Sequence, residues 1–144
     1  MTKKYKLGYT TGVFDMFHIG HLNILKRAKE NCDFLLVGVS TDEVTYQYKN
    51  KYPVIPYEDR VAIVEAIKYV DKVVPQDSMD KIEAWEKYHF DVLFHGDDWH
   101  GSSMYNEIEE KLASHGCDVV FFPHTENISS TIIINEINSS KKDD

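Results

Sequence analysis

Two histidines, His18 and His21, flank Ile19 and Gly20 in the stretch "GVFDMFHIGH" from Gly12 to His21. An apolar run, Leu7-Gly8-Tyr9, precedes them and a helix-like run follows. A helix opening presents unpaired backbone N–H groups, and its dipole favours negative charge. Imidazoles set there point to an anion on which chemistry is done. Zinc needs more ligands than this pair, and no nearby cysteine or H-E-x-x-H context completes a set. One histidine alone would read as a helix cap; two around a glycine, between a strand and a helix, favour a ligand site. The chain holds neither G-x-G-x-x-G nor G-x-x-x-x-G-K-[ST], the two commonest phosphate-cradling loops, so the histidine stretch must be read by itself.

The elements that would hold this stretch alternate along the chain. "KLGYTTGVF" reads as a strand, and "HLNILKRAKEN" as a helix with Leu22, Ile24, Leu25 and Ala28 on its apolar face. "FLLVGVS" is a short near-continuous apolar run, as in strands covered on both faces. "YEDRVAIVEAIKYV" has the helical period through Val61, Ile63, Val64, Ala66, Ile67 and Val70. Then follow "KVV" (strand), "SMDKIEAWEKYH" (helix), "DVLFHG" (strand), "SSMYNEIEEKLASHG" (helix), "DVVFFP" (strand) and "SSTIIINEI" (helix). Five such units in series predict an α/β domain with a doubly wound parallel sheet and helices on both faces. In such sheets ligands bind beyond the carboxyl ends of the strands, where the strand order reverses, and the first strand is the usual pivot. Thr41 to Pro56 lacks clear periodicity and reads as a long loop, either a binding loop or a solvated connector.

The chain has 144 residues, the size of one ordinary domain, expected over 1–138 with a frayed tail at 139–144. A net charge of −8 argues against a nucleic-acid surface, which needs a basic stripe, so local groups must overcome the global field if the ligand is a small anion. No apolar run approaches the ~18 residues of a membrane span. The start, "MTKKYKLGYTTG", lacks the apolar block and cleavage site of a secretory leader, and Cys32 and Cys117 form no CxxC pair. A cytoplasmic protein with buried thiols is expected.

"GVFDMFHIGHLNILKRAKE" resembles the first motif of the cytidylyltransferase family, within the HxGH nucleotidyltransferase superfamily. "VSTDE" (Val39 to Glu43), "YEDRVAIVEAIKYVD" (Tyr57 to Asp71), "FHGDDWHG" (Phe94 to Gly101) and "HTENISST" (His124 to Thr131) follow in the family's order and at about its spacings, so the likeness runs from about residue 5 to 137. The bacterial branch acting on glycerol 3-phosphate is the nearest match. The resemblance implies a single-domain Rossmann-like fold of the nucleotidyltransferase α/β phosphodiesterase type. It implies transfer of CMP from CTP, with Mg²⁺ on the triphosphate, to a small phosphorylated acceptor, with release of pyrophosphate and no covalent intermediate. Glycerol 3-phosphate leads as acceptor; another phosphorylated alcohol, sugar or amino-acid phosphate of surface-polymer synthesis, adenylyl transfer by the same fold, and a non-catalytic nucleotide-sensing module are the alternatives. A homodimer with no nucleic-acid or membrane partner is expected.

For individual residues the resemblance implies that His18 and His21 donate hydrogen bonds to the triphosphate while Gly20 leaves room for close approach. Thr11, Gly12 and Phe14 belong to the same loop, touching phosphate or shaping the site. Asp15 is ambiguous, since an acid beside phosphates repels them unless it orients a histidine or a metal. Arg60 pairs with phosphate through its planar fork, or else makes a surface salt bridge with Glu58 or Asp59. Lys49 or Lys51 reaches the acceptor phosphate or the triphosphate. Asp97 or Asp98 holds the cytosine amino group or the metal, with Asp97 the site residue of the family reading, and Trp99 lines the base or acceptor pocket. Ser129, Ser130 and Thr131 open the last helix, where their hydroxyls and free N–H groups meet the β- and γ-phosphates, and Thr125 and Ile128 of the same stretch bind the nucleotide. Three positions depart from the pattern: His124 stands where Arg or Tyr is common, Asn127 where Gly is usual, and Lys68 where a second arginine is expected. His124 and Lys68 are therefore expected to bear on the acceptor.

Overall fold

Strands and helices alternate as predicted in the computed structural model, which describes residues 5–96 and 103–123. The order is β1 (Tyr5–Gly12), α1 (Ile19–Glu30), β2 (Cys32–Ser40), α2 (Asp42–Lys49), α3 (Tyr57–Glu65), β3 (Lys72–Gln76), α4 (Lys81–Tyr88), β4 (Val92–Gly96), α5 (Ser103–Ser114) and β5 (Asp118–Phe122). The five strands form one parallel sheet in the order β3-β2-β1-β4-β5. β1 is the pivot, because successive strands run outward from it first to one side and then to the other. The histidine stretch leaves its carboxyl end.

The apolar run of β2 explains the two-sided burial. Leu35, Val37 and Val39 pack with Leu25 and Ala28 of α1 and Val64 of α3, while Leu36 faces Tyr9, Phe90, Leu93 and Leu112 with Ile82 and Trp85 of α4. Each such aliphatic side chain contributes about 1.5–3 kcal/mol by leaving water. Gly38 breaks the run because a Cβ there would lie 2.5 Å from the Tyr9 hydroxyl. Helices α1 and α3 thus cover one face, and α4 and α5 the other.

Two elements differ from the sequence expectation. Within the stretch read as a loop, Asp42–Lys49 is a helix: Thr41 Oγ1 accepts from the Val44 N–H at 3.2 Å, Asp42 and Glu43 occupy the first turn, and Asn50 ends it in a left-handed conformation. Helix α3 stops at Glu65, short of Val70. There the Ala66 N–H faces the carbonyls of Ala62, Ile63 and Val64, and the Ile67 and Val70 amides donate back three residues, to Val64 and Ile67. These tighter turns keep Ile67 and Val70 on the core. The Asp71 carboxylate then receives the Leu35 N–H at 2.7 Å and the Lys29 ammonium, fixing the approach to β3. The predicted last helix and the tail lie outside the described residues.

Candidate active site

Beyond Gly12 the chain turns through Phe14 (φ 55°) and Met16 (φ 49°), two non-glycine residues in the left-handed region. Such conformations cost on the order of 1 kcal/mol or more each and persist only where packing dictates them. Phe14 is buried, and its ring lies so close over Gly12 that a Cβ there would meet it at 3.1 Å. Gly12 therefore admits Phe14, which in turn supports the edge of the His21 ring at 5.4 Å. Asp15 is buried as well, and its two carboxylate oxygens accept the Val54 and Ile55 N–H groups, each at 2.8 Å. This backbone anchoring ties the turn to the segment before α3.

The spacing of the two histidines has a structural cause that their sequence position alone did not reveal. His18 is the N-cap of α1, and its Nδ1 accepts from the Gly20 N–H at 3.0 Å. His21, three residues on, reaches back so that its Nδ1 accepts from the His18 N–H at 3.2 Å. This is the reciprocal capping arrangement, built from imidazoles rather than Ser and Glu. An Nδ1 that accepts carries no proton, so each neutral ring holds its hydrogen on Nε2. The rings stack at 3.9 Å between centroids, 23° apart in plane. One cap thereby fixes two tautomers and leaves two Nε2–H donors for an anion.

Burial lowers the pKa of His18. That of His21 falls to about 3, through burial first and then the charges of His18 and Lys49. Both rings are neutral donors at neutral pH. Between about pH 6.5 and 3 the unfolded chain binds a proton at His21 that the folded chain refuses, so this contribution to stability is present above 6.5 and disappears as pH falls through about 3. We expect His21→Asn to lose less stability than the parent over that window in urea titrations at a series of pH values; equal slopes would contradict a buried neutral imidazole.

The unexpected helix α2 ends at Lys49, near enough to His21 for its charge to act on the ring. Burial lowers the pKa of Lys49 itself, with Lys51 adding to the effect and Asp15 opposing it. Lys49 thus stands on the histidine side of the site, with Lys51 beside it.

Arg60 and Lys68 need correction. Arg60 is fully buried: Nε donates to Ile55 O at 2.9 Å, Nη1 to Val13 O and Ser40 O at 2.7 Å each, and Nη2 to Asp42 Oδ1 at 2.6 Å. The fork is occupied by backbone and by Asp42, so it neither grips phosphate here nor pairs with Glu58 or Asp59. It holds together the ends of β1 and β2 and the segment before α3. Lys68 sits on the turn leading into the first residue of β3, at the amino edge of the parallel sheet, and its ammonium lies 5.2 Å from the Tyr69 ring. The site at the carboxyl edge is on the other side of the sheet, so within one chain Lys68 does not join it.

Sequence reading missed Lys81. It opens α4, is 3% exposed, and donates from Nζ to Thr11 Oγ1 at 2.9 Å. A signal was present: Ala84, Trp85 and Tyr88, at i+3, i+4 and i+7, form an inward stripe whose first position is this lysine. Asp97, Asp98, Trp99, His124, Thr125, Ile128, Ser129, Ser130 and Thr131 lie outside the described residues, as does Asn127. Gly20 is buried in the first turn of α1. The described residues contain no helix long and apolar enough to cross a membrane.

A family model described as cytidylyltransferase-like matches residues 9–136. The chain is 40% identical over 129 residues to the glycerol-3-phosphate cytidylyltransferase of Bacillus subtilis, covering 89% of this chain and 94% of that protein. It is 34% identical over 128 residues to the ethanolamine-phosphate cytidylyltransferase of Mus musculus, covering 85% of this chain and 30% of that one. Among solved structures, the lipopolysaccharide core biosynthesis protein from Thermoplasma volcanium matches with a TM-score of 0.70 at 26% identity, over 86% of this chain and 99% of that chain. Pantothenate synthetase from Thermus thermophilus matches with a TM-score of 0.69 at 15% identity, over 96% and 65%, a likeness of fold alone.

Proposed function

The chain belongs to the cytidylyltransferase-like family, and from this we propose that it transfers CMP from CTP to glycerol 3-phosphate, giving CDP-glycerol and pyrophosphate. The names of relatives alike over nearly their whole length support that acceptor. The observation that carries the chemistry is the imidazole cap, which engages both Nδ1 atoms and so leaves two neutral Nε2–H donors at a helix opening, where an anion is already favoured. An oxygen of the acceptor phosphate attacks the α-phosphorus of CTP; the new P–O bond forms as the bond to the α,β-bridging oxygen breaks, and that oxygen leaves with pyrophosphate. The attacking phosphate is already ionised at neutral pH, so no general base is needed. Catalysis then consists of positioning and of stabilising the charge that moves onto the leaving group. The donors at His18 and His21 serve that charge, and Lys49 adds a cation beside them.

Magnesium enters, in this reading, with the triphosphate and on its oxygens, neutralising part of the charge. Asp15 is not assigned as its ligand, because its oxygens hold backbone amides. We further propose a homodimer in the cytoplasm whose product feeds surface-polymer synthesis; sizing chromatography tests the dimer. The reaction is tested by incubating the protein with each nucleoside triphosphate, Mg²⁺ and a panel of phosphorylated alcohols while following pyrophosphate. Release with CTP and glycerol 3-phosphate is expected. Release with ATP alone would move the activity to adenylyl transfer, and tight CTP binding without turnover would make the protein a sensor.

A further inference from the structure

Met79 lies in the turn between β3 and α4, one residue before the Asp80 cap, and is 45% exposed. Its sulfur nevertheless has a fixed partner. Gln76, the last residue of β3, donates from Nε2 to Met79 Sδ at 3.4 Å. The Gln76 amide is buried, and its Oε1 accepts from the hydroxyl of Ser40, itself buried, at 3.0 Å. A donor on the oxygen end of the amide fixes which way it faces and leaves an N–H for the sulfur. The main chain adds a second tie, since Gln76 O accepts from the N–H of Thr41, the cap of α2, at 3.1 Å. An exposed thioether is thus held by a donor that the core keeps in place.

A thioether sulfur has two lone pairs and is oxidised through one of them. That pair attacks one oxygen of a peroxide; the S–O bond forms as the O–O bond breaks, and the departing hydroxide takes the proton of the transferred oxygen and leaves as water. Sulfur gives up two electrons and the peroxide gains them. The product is a sulfoxide whose sulfur is a stereocentre. At Met79 the Gln76 N–H covers one lone pair, so the other is left for the oxidant. We propose that Met79 is a site of reversible oxidation by peroxides at which the fold selects one of the two sulfoxide epimers. The oxygen enters on the side away from Gln76, so neither the bond from Ser40 nor the tie to α2 has to open. Met104, 52% exposed on α5, has no hydrogen bond to its sulfur among the described residues and gains no such preference. This chemistry depends on no step of the transfer reaction.

Brief treatment of the folded protein with hydrogen peroxide tests it, followed by digestion, reduction with each of the two epimer-specific methionine sulfoxide reductases, and mass spectrometry of the peptides. The two enzymes should restore fractions of Met79 that differ by about threefold or more, as when one route keeps a hydrogen bond that the other breaks. Met104 in the same digests should be restored nearly equally by both. Oxidation in urea should bring Met79 to the even split of Met104. Gln76→Met, shown to be folded by circular dichroism, removes the donor and should even the split in the same way; a skew that survives there would overturn the role of Gln76. If that variant does not fold, the comparison of folded and urea-treated parent still decides. Equal restoration of Met79 by both enzymes after oxidation of the folded parent would overturn the selection, and a Met79 that stays reduced until urea is added would overturn the site.

Discussion

Replacing His18 or His21 with asparagine should lower the rate of pyrophosphate release by ~10²-fold or more, the scale of a lost oxyanion-type donor, and leave the fold nearly as stable as before. Each imidazole has two separable jobs. Its Nδ1 accepts a backbone N–H of the α1 cap, and in the proposed reaction its Nε2–H donates to substrate. Asparagine carries an acceptor oxygen at the δ position and nothing at ε, so it keeps the first job and abandons the second. It is also among the best N-cap residues, and we expect His18→Asn to stay within about 0.5 kcal/mol of the parent in urea unfolding. Alanine at either position removes both jobs and should add about 1 kcal/mol of lost cap to the loss of rate. Rates of both asparagine variants within tenfold of the parent would mean that the Nε2–H groups do not serve the leaving group. Loss of stability without loss of rate would make the pair a cap and nothing more.

The same division explains what could be read without coordinates. The strands, the parallel topology and the pivot at β1 followed from apolar runs and helical periods, because each is written in neighbouring residues. The candidate anion site could be proposed for the same reason, since the histidines and the helix opening are contiguous. That His18 and His21 also cap α1 was not legible, because a capping box is usually recognised from Ser or Thr and Glu or Gln. Helix α2 escaped notice because eight residues give only two turns, and its Tyr46 and Tyr48 are exposed rather than set on an apolar face. The fate of Arg60 was hidden more deeply. Sequence offers Glu58 and Asp59 as its neighbours, whereas the partners come from Val13, Ser40, Asp42 and Ile55, which folding alone brings together. Lys81 and Thr11, seventy positions apart, meet for the same reason.

Arg60→Met should therefore be the most destabilising single change in the site, costing about 3–5 kcal/mol, the range for removing one partner of a buried charged network. Three carbonyls, those of Val13, Ser40 and Ile55, lose their donor at once, and Asp42 loses its cation. Arg60→Lys keeps the charge but cannot reproduce a planar fork that serves four acceptors, so an intermediate loss is expected. The damage should be centred on the strained turn through Phe14 and Met16, because Val13 precedes it and Asp15 ties it to the amides of Val54 and Ile55. Hydrogen exchange at Val54 and Ile55 should then accelerate in both variants. Turnover falls as well, by displacement of the turn that supports His21 rather than by loss of a phosphate contact. Urea unfolding combined with kinetics separates the two roles: an arginine that gripped the triphosphate would raise the KM for CTP and leave stability nearly unchanged, and that pattern would refute the buried-hub assignment.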